Sequence, residues 1–263
     1  QSRNEESKNN QMKEFAGEKA IRINEISFRY DPHSLKKTLD NITFEIPEGK
    51  VTAIVGASGS GKTTLIKLML GYYPVSEGAI MVSGKNINEY NLKWWRRCCG
   101  VVMQDGVIFS ESIARNIAVG DSEVDIARLE QAARIACIHD YILSLPLKYN
   151  TKIGRDGVGL SQGQKQRILI ARAVYKNPVF IFLDEATNSL DAKNEREIVE
   201  NLDDFYKGRT VVVVAHRLST VKNADQIVVI DSGKVVEKGT HTELIEKQGG
   251  YFNLVKNQLE LGN

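Results

Sequence analysis

The chain has 263 residues but only three cysteines, Cys98, Cys99 and Cys137. Their number is odd, their spacing fits no zinc site, and two adjacent cysteines make a poor disulfide. A reducing, cytosolic compartment is therefore expected. Long apolar runs are missing too: none approaches the roughly eighteen residues of a membrane-spanning helix. Nor is there an excess of one charge. A formal net charge of +2 gives no reason to expect nucleic acid or an anionic lipid surface as partner. Residues 1–19, QSRNEESKNNQMKEFAGEK, carry almost nothing to bury. They read as a disordered linker or tail and not as a secretory leader. The opening Gln suggests a segment taken from a longer chain.

What is present is an α/β pattern of a size that fits one large domain, residues 20–259, with a short tail at 260–263. Ile26, Phe28 and Tyr30 alternate with polar residues, as do Ile42, Phe44 and Ile46, predicting an N-terminal antiparallel β subdomain. Ala79–Val82, the Ser83–Lys85 turn and Cys99–Met103 predict a second zone of short strands. From about Ser110 to Leu145 the pattern is helical, and a helical subdomain at about 105–165 is expected as an insertion. Val179–Leu183 and Val211–Ala215 are continuous apolar runs, as parallel strands covered on both faces should be. Ile227–Ile230, a turn at Asp231–Lys234 and Val235–Val236 predict a hairpin, and a terminal helix is expected from about His241.

Residues 56–63 read Gly-Ala-Ser-Gly-Ser-Gly-Lys-Thr, the G-x-x-x-x-G-K-S/T phosphate loop. Gly56, Gly59 and Gly61 let the backbone around Ala57, Ser58 and Ser60 turn tightly, with N–H groups inward where a side chain would collide with a phosphate. Lys62 brings a positive charge to the β- and γ-phosphates, and the Thr63 hydroxyl can ligate Mg²⁺. Val51–Val55 ahead reads as a buried strand. Thr64–Leu70 behind continues as a helix whose N-terminus faces the anion. The stretch implies a bound nucleoside triphosphate. Asp184 and Glu185 end a core strand, where Asp184 can hold Mg²⁺ and Glu185 can orient or deprotonate a water.

With Leu160-Ser-Gln-Gly-Gln164, Ser189-Leu-Asp191, Gln104 and Ala215-His216, the ordered motifs resemble those of the nucleotide-binding domain of ATP-binding cassette (ABC) transporters. The resemblance spans about Ile21 to Leu259 and implies a P-loop NTPase with a mostly parallel RecA-like core sheet. It implies ATP and Mg²⁺ as cofactors, with Thr63, Gln104 and Asp184 toward the metal. Glu185 becomes the catalytic base and His216 the group that holds the γ-phosphate and water in line. Tyr30 matches the aromatic that stacks on adenine; its alternative is a place on the buried face of the strand with Ile26 and Phe28. Ser161, Gly163 and Gln164 match the signature that contacts ATP on a second domain, with Ser161 placed as an N-cap, and Asp191 acts across that dimer. Two such domains, alike or different, would clasp two ATPs beside a transmembrane partner, at the cytoplasmic face of a membrane.

Phe109–Ile117 and Thr151–Gly157 resemble the exporter branch, and residues 160–191 look closest to bacterial peptide or bacteriocin exporters that carry a peptidase domain. Gln162 stands where the signature LSGGQ has its first glycine, and Arg155 where the TEVGERG loop has its central glutamate. Trp94 and Trp95 suit packing between subdomains, or a groove for a coupling helix. Two other readings share the cassette. An ATPase of DNA maintenance would need long inserted domains, and about a hundred residues between loop and signature leave little room. A catalytically silent half of a heterodimer is opposed by intact Lys62, Asp184, Glu185 and His216.

Overall fold

A computed structural model describes residues 12–184, 186, 192–215 and 218–261. Along the chain, β1 (Ile21–Phe28) and β2 (Leu39–Ile46) pair antiparallel. β3 (Val51–Val55) runs into the phosphate loop and α1 (Lys62–Met69). β4 (Glu77–Val82) and β5 (Lys85–Asn86) complete a four-stranded antiparallel sheet in the order β2-β1-β4-β5. Then come α2 (Leu92–Cys98) and β6 (Cys99–Val102). A helical stretch follows with α3 (Ile113–Ile117), α4 (Ile126–Ile135), α5 (His139–Ser144) and α6 (Gln162–Tyr175).

The chain returns to the core in β7 (Phe180–Asp184), α7 (Ala192–Tyr206), β8 (Thr210–Val214) and α8 (Leu218–Lys222). The hairpin β9 (Gln226–Asp231) and β10 (Lys234–Gly239) precedes α9 (His241–Lys247) and α10 (Gly250–Leu261). The second sheet has the order β10-β9-β3-β8-β7-β6, parallel except for β10.

Side-chain alternation divides this central sheet between two cores. Ile54, Phe180, Phe182, Val212, Val214, Val228 and Ile230 pack with α1 and the antiparallel sheet. Ala53, Val55, Ile181, Leu183, Val211, Val213, Ile227 and Val229 pack with the helices. Both faces are covered, which is why these strands are apolar without interruption.

Local departures from the sequence reading have physical causes. In β1 the register shifts between Asn24 and Ser27, where Glu25 takes φ 51°. The slip flips the side-chain phase, so Ile21, Ile23, Ile26 and Phe28 are all buried. The strand ends at Phe28, and Tyr30 lies beyond it, half exposed.

The expectation of nothing to bury before Ala20 does not hold for residues 12–15. Met12 donates to the Glu89 carbonyl and accepts from the Asn91 amide, both at 3.1 Å. Phe15 packs on Trp94 at 4.7 Å and on Phe180 at 5.5 Å between ring centroids. Trp95 is fully buried and donates Nε1 to the Met69 carbonyl at 2.9 Å, so the tryptophan pair serves packing. The single helix expected from His241 is two, interrupted at Gln248 with φ 52°.

Candidate nucleotide site

The parallel register brings four strand ends to one edge. Ile54 is level with Val214, Val214 with Asp184, and Leu183 with Val102. The phosphate loop after β3, Asp184 on β7, Ala215 after β8 and Gln104 just past β6 therefore share the carboxyl edge of the sheet, where open α/β sheets bind ligands.

The loop is shaped by its neighbours as much as by its contents. A Cβ on Gly56 would lie 2.0 Å from the Ile230 carbonyl oxygen, and one on Gly61 would lie 2.6 Å from Leu39 Cδ2. Both residues also have positive φ, 149° and 109°. Glycine at these two places is thus required by β9 and β2 packing against the loop, a reason the motif alone does not reveal. Around Gly59 nothing lies within 4 Å, and its φ of 77° alone calls for glycine. Ser60 closes a turn onto the Ala57 carbonyl at 3.2 Å, and Ser58 is exposed.

Lys62 opens α1 and is 5% exposed. Its ammonium donates to the Gly56 and Ala57 carbonyls, each at 2.8 Å, so the charge is held over the loop. The N-cap of α1 is Gly61, with no side chain capping the first turn, so its N–H groups point into the loop as an anion cradle. Thr63 follows, half-buried. Thr64 is buried, and its Oγ1 lies 3.0 Å from the Tyr30 hydroxyl.

Tyr30 stands at the rim of a cavity of about 570 Å³, whose wall includes Thr38, Ala57, Ser60 and the Asp231–Gly233 turn. Its ring meets Phe28 and Tyr73 edge-on, at 5.1 and 5.3 Å. Tyr73 was missed from the sequence, and the Asp231–Lys234 turn was read only as a hairpin turn and not as part of this site. An aromatic just past the helix and a Gly in a hairpin turn were the available signals.

Asp184 is 1% exposed at the end of β7, whereas Gln104 is exposed beyond β6. Thr63, Gln104 and Asp184 offer only oxygen donors suited to a hard cation, the hydroxyl, the amide carbonyl and the carboxylate. Among the described residues no cluster of three or more His, Cys, Asp or Glu could hold a metal by itself. Mg²⁺ takes few protein ligands and completes its shell with phosphate oxygens and water, and oxygen donors of this kind fit it. Glu185, His216 and Asp191 lie outside the described residues.

Ser161 is the N-cap of α6 in a full capping box. Ser161 Oγ accepts from the Gln164 amide at 3.2 Å, and Gln164 Oε1 accepts from the Ser161 amide at 2.8 Å. The helix begins at Gln162, with Gln162 exposed and Gly163 half-buried. Gln164 thus spends its side-chain carbonyl on the cap, and Ser161 keeps its hydroxyl proton for another acceptor.

Residues 39–188 match the family model described as ABC transporter. The chain belongs to that family. It is 42% identical to the ATP-dependent lipid A-core flippase of Saccharophagus degradans over 248 residues, 94% of this chain and 42% of the flippase. It is 44% identical to the leukotoxin translocation ATP-binding protein LktB of Mannheimia haemolytica over 241 residues, 92% of this chain and 34% of LktB. A bacterial Atm1-family ABC exporter solved with ATP bound superposes with a TM-score of 0.90 at 35% identity, covering 95% of this chain and 44% of that one. The chain spans 34–44% of the length of these relatives. It corresponds to a nucleotide-binding domain of that family. Among the described residues no helix is long and apolar enough to cross a membrane.

Proposed function

We propose that two copies of this domain, or one copy and a similar partner, close head-to-tail on two Mg-ATP molecules and drive export through a transmembrane partner. The observation that carries this is the arrangement at the carboxyl edge. Lys62, the uncapped start of α1 and Asp184 converge there, while the capped N-terminus of α6 stands exposed outside the cavity wall. Such a site supplies one wall of a nucleotide pocket and leaves a second anion-binding helix terminus to serve another copy.

In this reading the loop N–H groups and Lys62 hold the β- and γ-phosphates, and Tyr30 stacks on the base. Thr63, Asp184 and Gln104 would hold Mg²⁺, which when bound neutralises phosphate charge. Glu185 takes a proton from the attacking water, His216 aligns it on the γ-phosphate, and Ser161 and Gly163 contact the γ-phosphate on the opposing copy. Asp191 acts across the same seam. Positioning and charge stabilisation do most of the catalysis.

The membrane partner has a fitting place in a second cleft of about 260 Å³, whose wall includes Tyr72, Arg96, Val119, Arg128 and Arg172. Val119 and Tyr72 expose apolar surface there. A transmembrane partner seated there would hold the domain at the cytoplasmic face of a membrane. The wording of residues 160–191 favours a peptide cargo.

The test is assembly. The Glu185→Gln variant with Mg-ATP is expected to double in mass by light scattering, and the wild-type ATPase rate per molecule is expected to rise with protein concentration. A Glu185→Gln protein that stays monomeric at high concentration with ATP bound overturns the proposal.

A further inference from the structure

The two grips on the nucleotide hang from different sheets. Tyr30 trails β1 of the antiparallel sheet, and the phosphate loop follows β3 of the parallel one. One nucleotide can engage both only if the spacing between them is held. One link is the Tyr30–Thr64 hydroxyl pair. Another is a single peptide unit.

Gly233, in the turn between β9 and β10, donates its N–H to the Ser60 carbonyl of the phosphate loop at 3.1 Å. Its own carbonyl accepts from the Asp40 N–H at 2.8 Å. Two residues before Asp40, Thr38 donates to the Phe28 carbonyl at 2.8 Å, at the last residue of β1. Backbone hydrogen bonds thus run from the strand that carries Tyr30, through Thr38, Asp40 and Gly233, to Ser60.

No other residue type fits at 233. Its φ is 79°, and a Cβ there would lie 2.6 Å from the Thr38 carbonyl oxygen. The same segment is pinned from outside by Asp40, whose carboxylate pairs with Lys234 at 3.3 Å and Lys37 at 3.2 Å. Lys37 also reaches Glu77 on β4 at 3.1 Å.

We propose that Gly233 is a positioning residue for nucleotide selection: its peptide sets the distance between the phosphate loop and Tyr30, so that base and triphosphate are held together. This rests on the nucleotide reading above and adds to it. A displaced Gly233 leaves the loop able to hold phosphate but misaligns the base. The effect therefore falls on ATP and not on inorganic tripolyphosphate.

The experiment measures the Kd of Mg-ATP and of Mg-tripolyphosphate by calorimetry on wild-type protein, Gly233→Ala, Tyr30→Ala and the double variant. Gly233→Ala is expected to weaken ATP about tenfold and tripolyphosphate by less than about twofold. In the Tyr30→Ala background the same change is expected to cost ATP less than about twofold, because the second grip is already gone.

Equal losses for the two ligands, no loss for either, or additive losses in the double variant would overturn the proposal. Should Gly233→Ala not fold, Lys234→Ala decides. It removes only the exposed ion pair to Asp40, and it is expected to weaken ATP two- to threefold with tripolyphosphate unchanged. An unchanged ratio of the two affinities counts against the idea. A wild-type protein that binds ATP no better than tripolyphosphate would instead remove the base-stacking role of Tyr30.

Discussion

Arg172 reaches from α6 to hold Asn116 twice, through Nε to its backbone carbonyl at 2.7 Å and through Nη2 to its Oδ1 at 3.2 Å. Asn116 is fully buried, and its amide does the remaining work. Oδ1 accepts from the Phe109 N–H at 2.8 Å, and Nδ2 donates to the Phe109 and Ser112 carbonyls at 3.0 and 3.1 Å. Arg172 Nη1 adds the Val107 carbonyl at 2.9 Å. The segment that follows Gln104 is therefore shaped by one buried amide and one guanidinium, whose pKa burial pulls down to about 10.

Asn116→Ala would take the Oδ1 acceptor from the Phe109 N–H and from Arg172 Nη2, while the Phe109 carbonyl keeps the Glu111 N–H at 2.8 Å, at about 1–3 kcal/mol for each unmet group. A total loss of about 2–4 kcal/mol in unfolding free energy is expected from urea titration. A loss below about 0.5 kcal/mol would mean that water replaces the amide.

The phosphate loop, the core strands and the α6 cap were legible in the sequence because each is a local rule. A glycine pattern, an uninterrupted apolar run and a Ser three residues before Gln carry their own geometry. Phe15 was not legible. It is a lone aromatic in a polar stretch, and its partners Trp94, Trp95 and Phe180 lie far along the chain. The slip at Glu25 was hidden because each half of β1 alternates soundly by itself, Ile21 and Ile23 in one phase and Ile26 and Phe28 in the other. Gly233 reads as an ordinary hairpin turn until the fold sets Thr38 against it.

Phe15→Ala tests that hidden contact. The ring is half-buried against four aromatic rings, so about 1–2 kcal/mol of stability should be lost, less than for a fully buried Phe. Tryptophan emission should shift to longer wavelength as Trp94 gains water. An unshifted spectrum and unchanged stability would show that residues 12–15 do not dock in solution.

Burial, aided by the charge of Glu197, pushes the Cys137 thiol up from 9.0 to about 11. Asn201 Nδ2 lies 3.3 Å from its sulfur. Only the thiolate reacts, so in a Cys98→Ser, Cys99→Ser background iodoacetamide at pH 8 should label Cys137 about a hundredfold more slowly in the native than in the unfolded chain. The folded state holds this proton more tightly. Its contribution to stability is therefore present below pH 9 and lost as pH rises through 11. A native labelling rate equal to the unfolded rate would contradict the shift.

Lys62→Ala and Glu185→Gln should separate binding from chemistry. In the proposed site, Lys62→Ala would remove charged hydrogen bonds to phosphate worth about 2–3 kcal/mol, or about thirty- to 150-fold in the Kd for ATP. Glu185→Gln should leave that Kd within about threefold and lower kcat by about 10²–10⁴, the range of a lost general base. Turnover that survives Glu185→Gln would remove Glu185 from the base role.

Gln162 and Ser161 sit side by side at the start of α6 with different duties, and paired variants tell them apart. Ser161 caps the helix through Oγ, so Ser161→Ala should cost about 1 kcal/mol of stability as well as any contact to nucleotide. Gln162 is exposed, takes no part in the capping box and occupies the first helical position. Glycine there should cost less than about 1 kcal/mol. A stability change that small leaves the ATPase rate as a clean reporter of what the side chain touches in the closed pair. Because an exposed, polar Gln can turn aside into water, Gln162→Gly is expected to change kcat by less than about threefold. A tenfold rise would show instead that the side chain crowds the opposing phosphate, and a tenfold fall that it binds there.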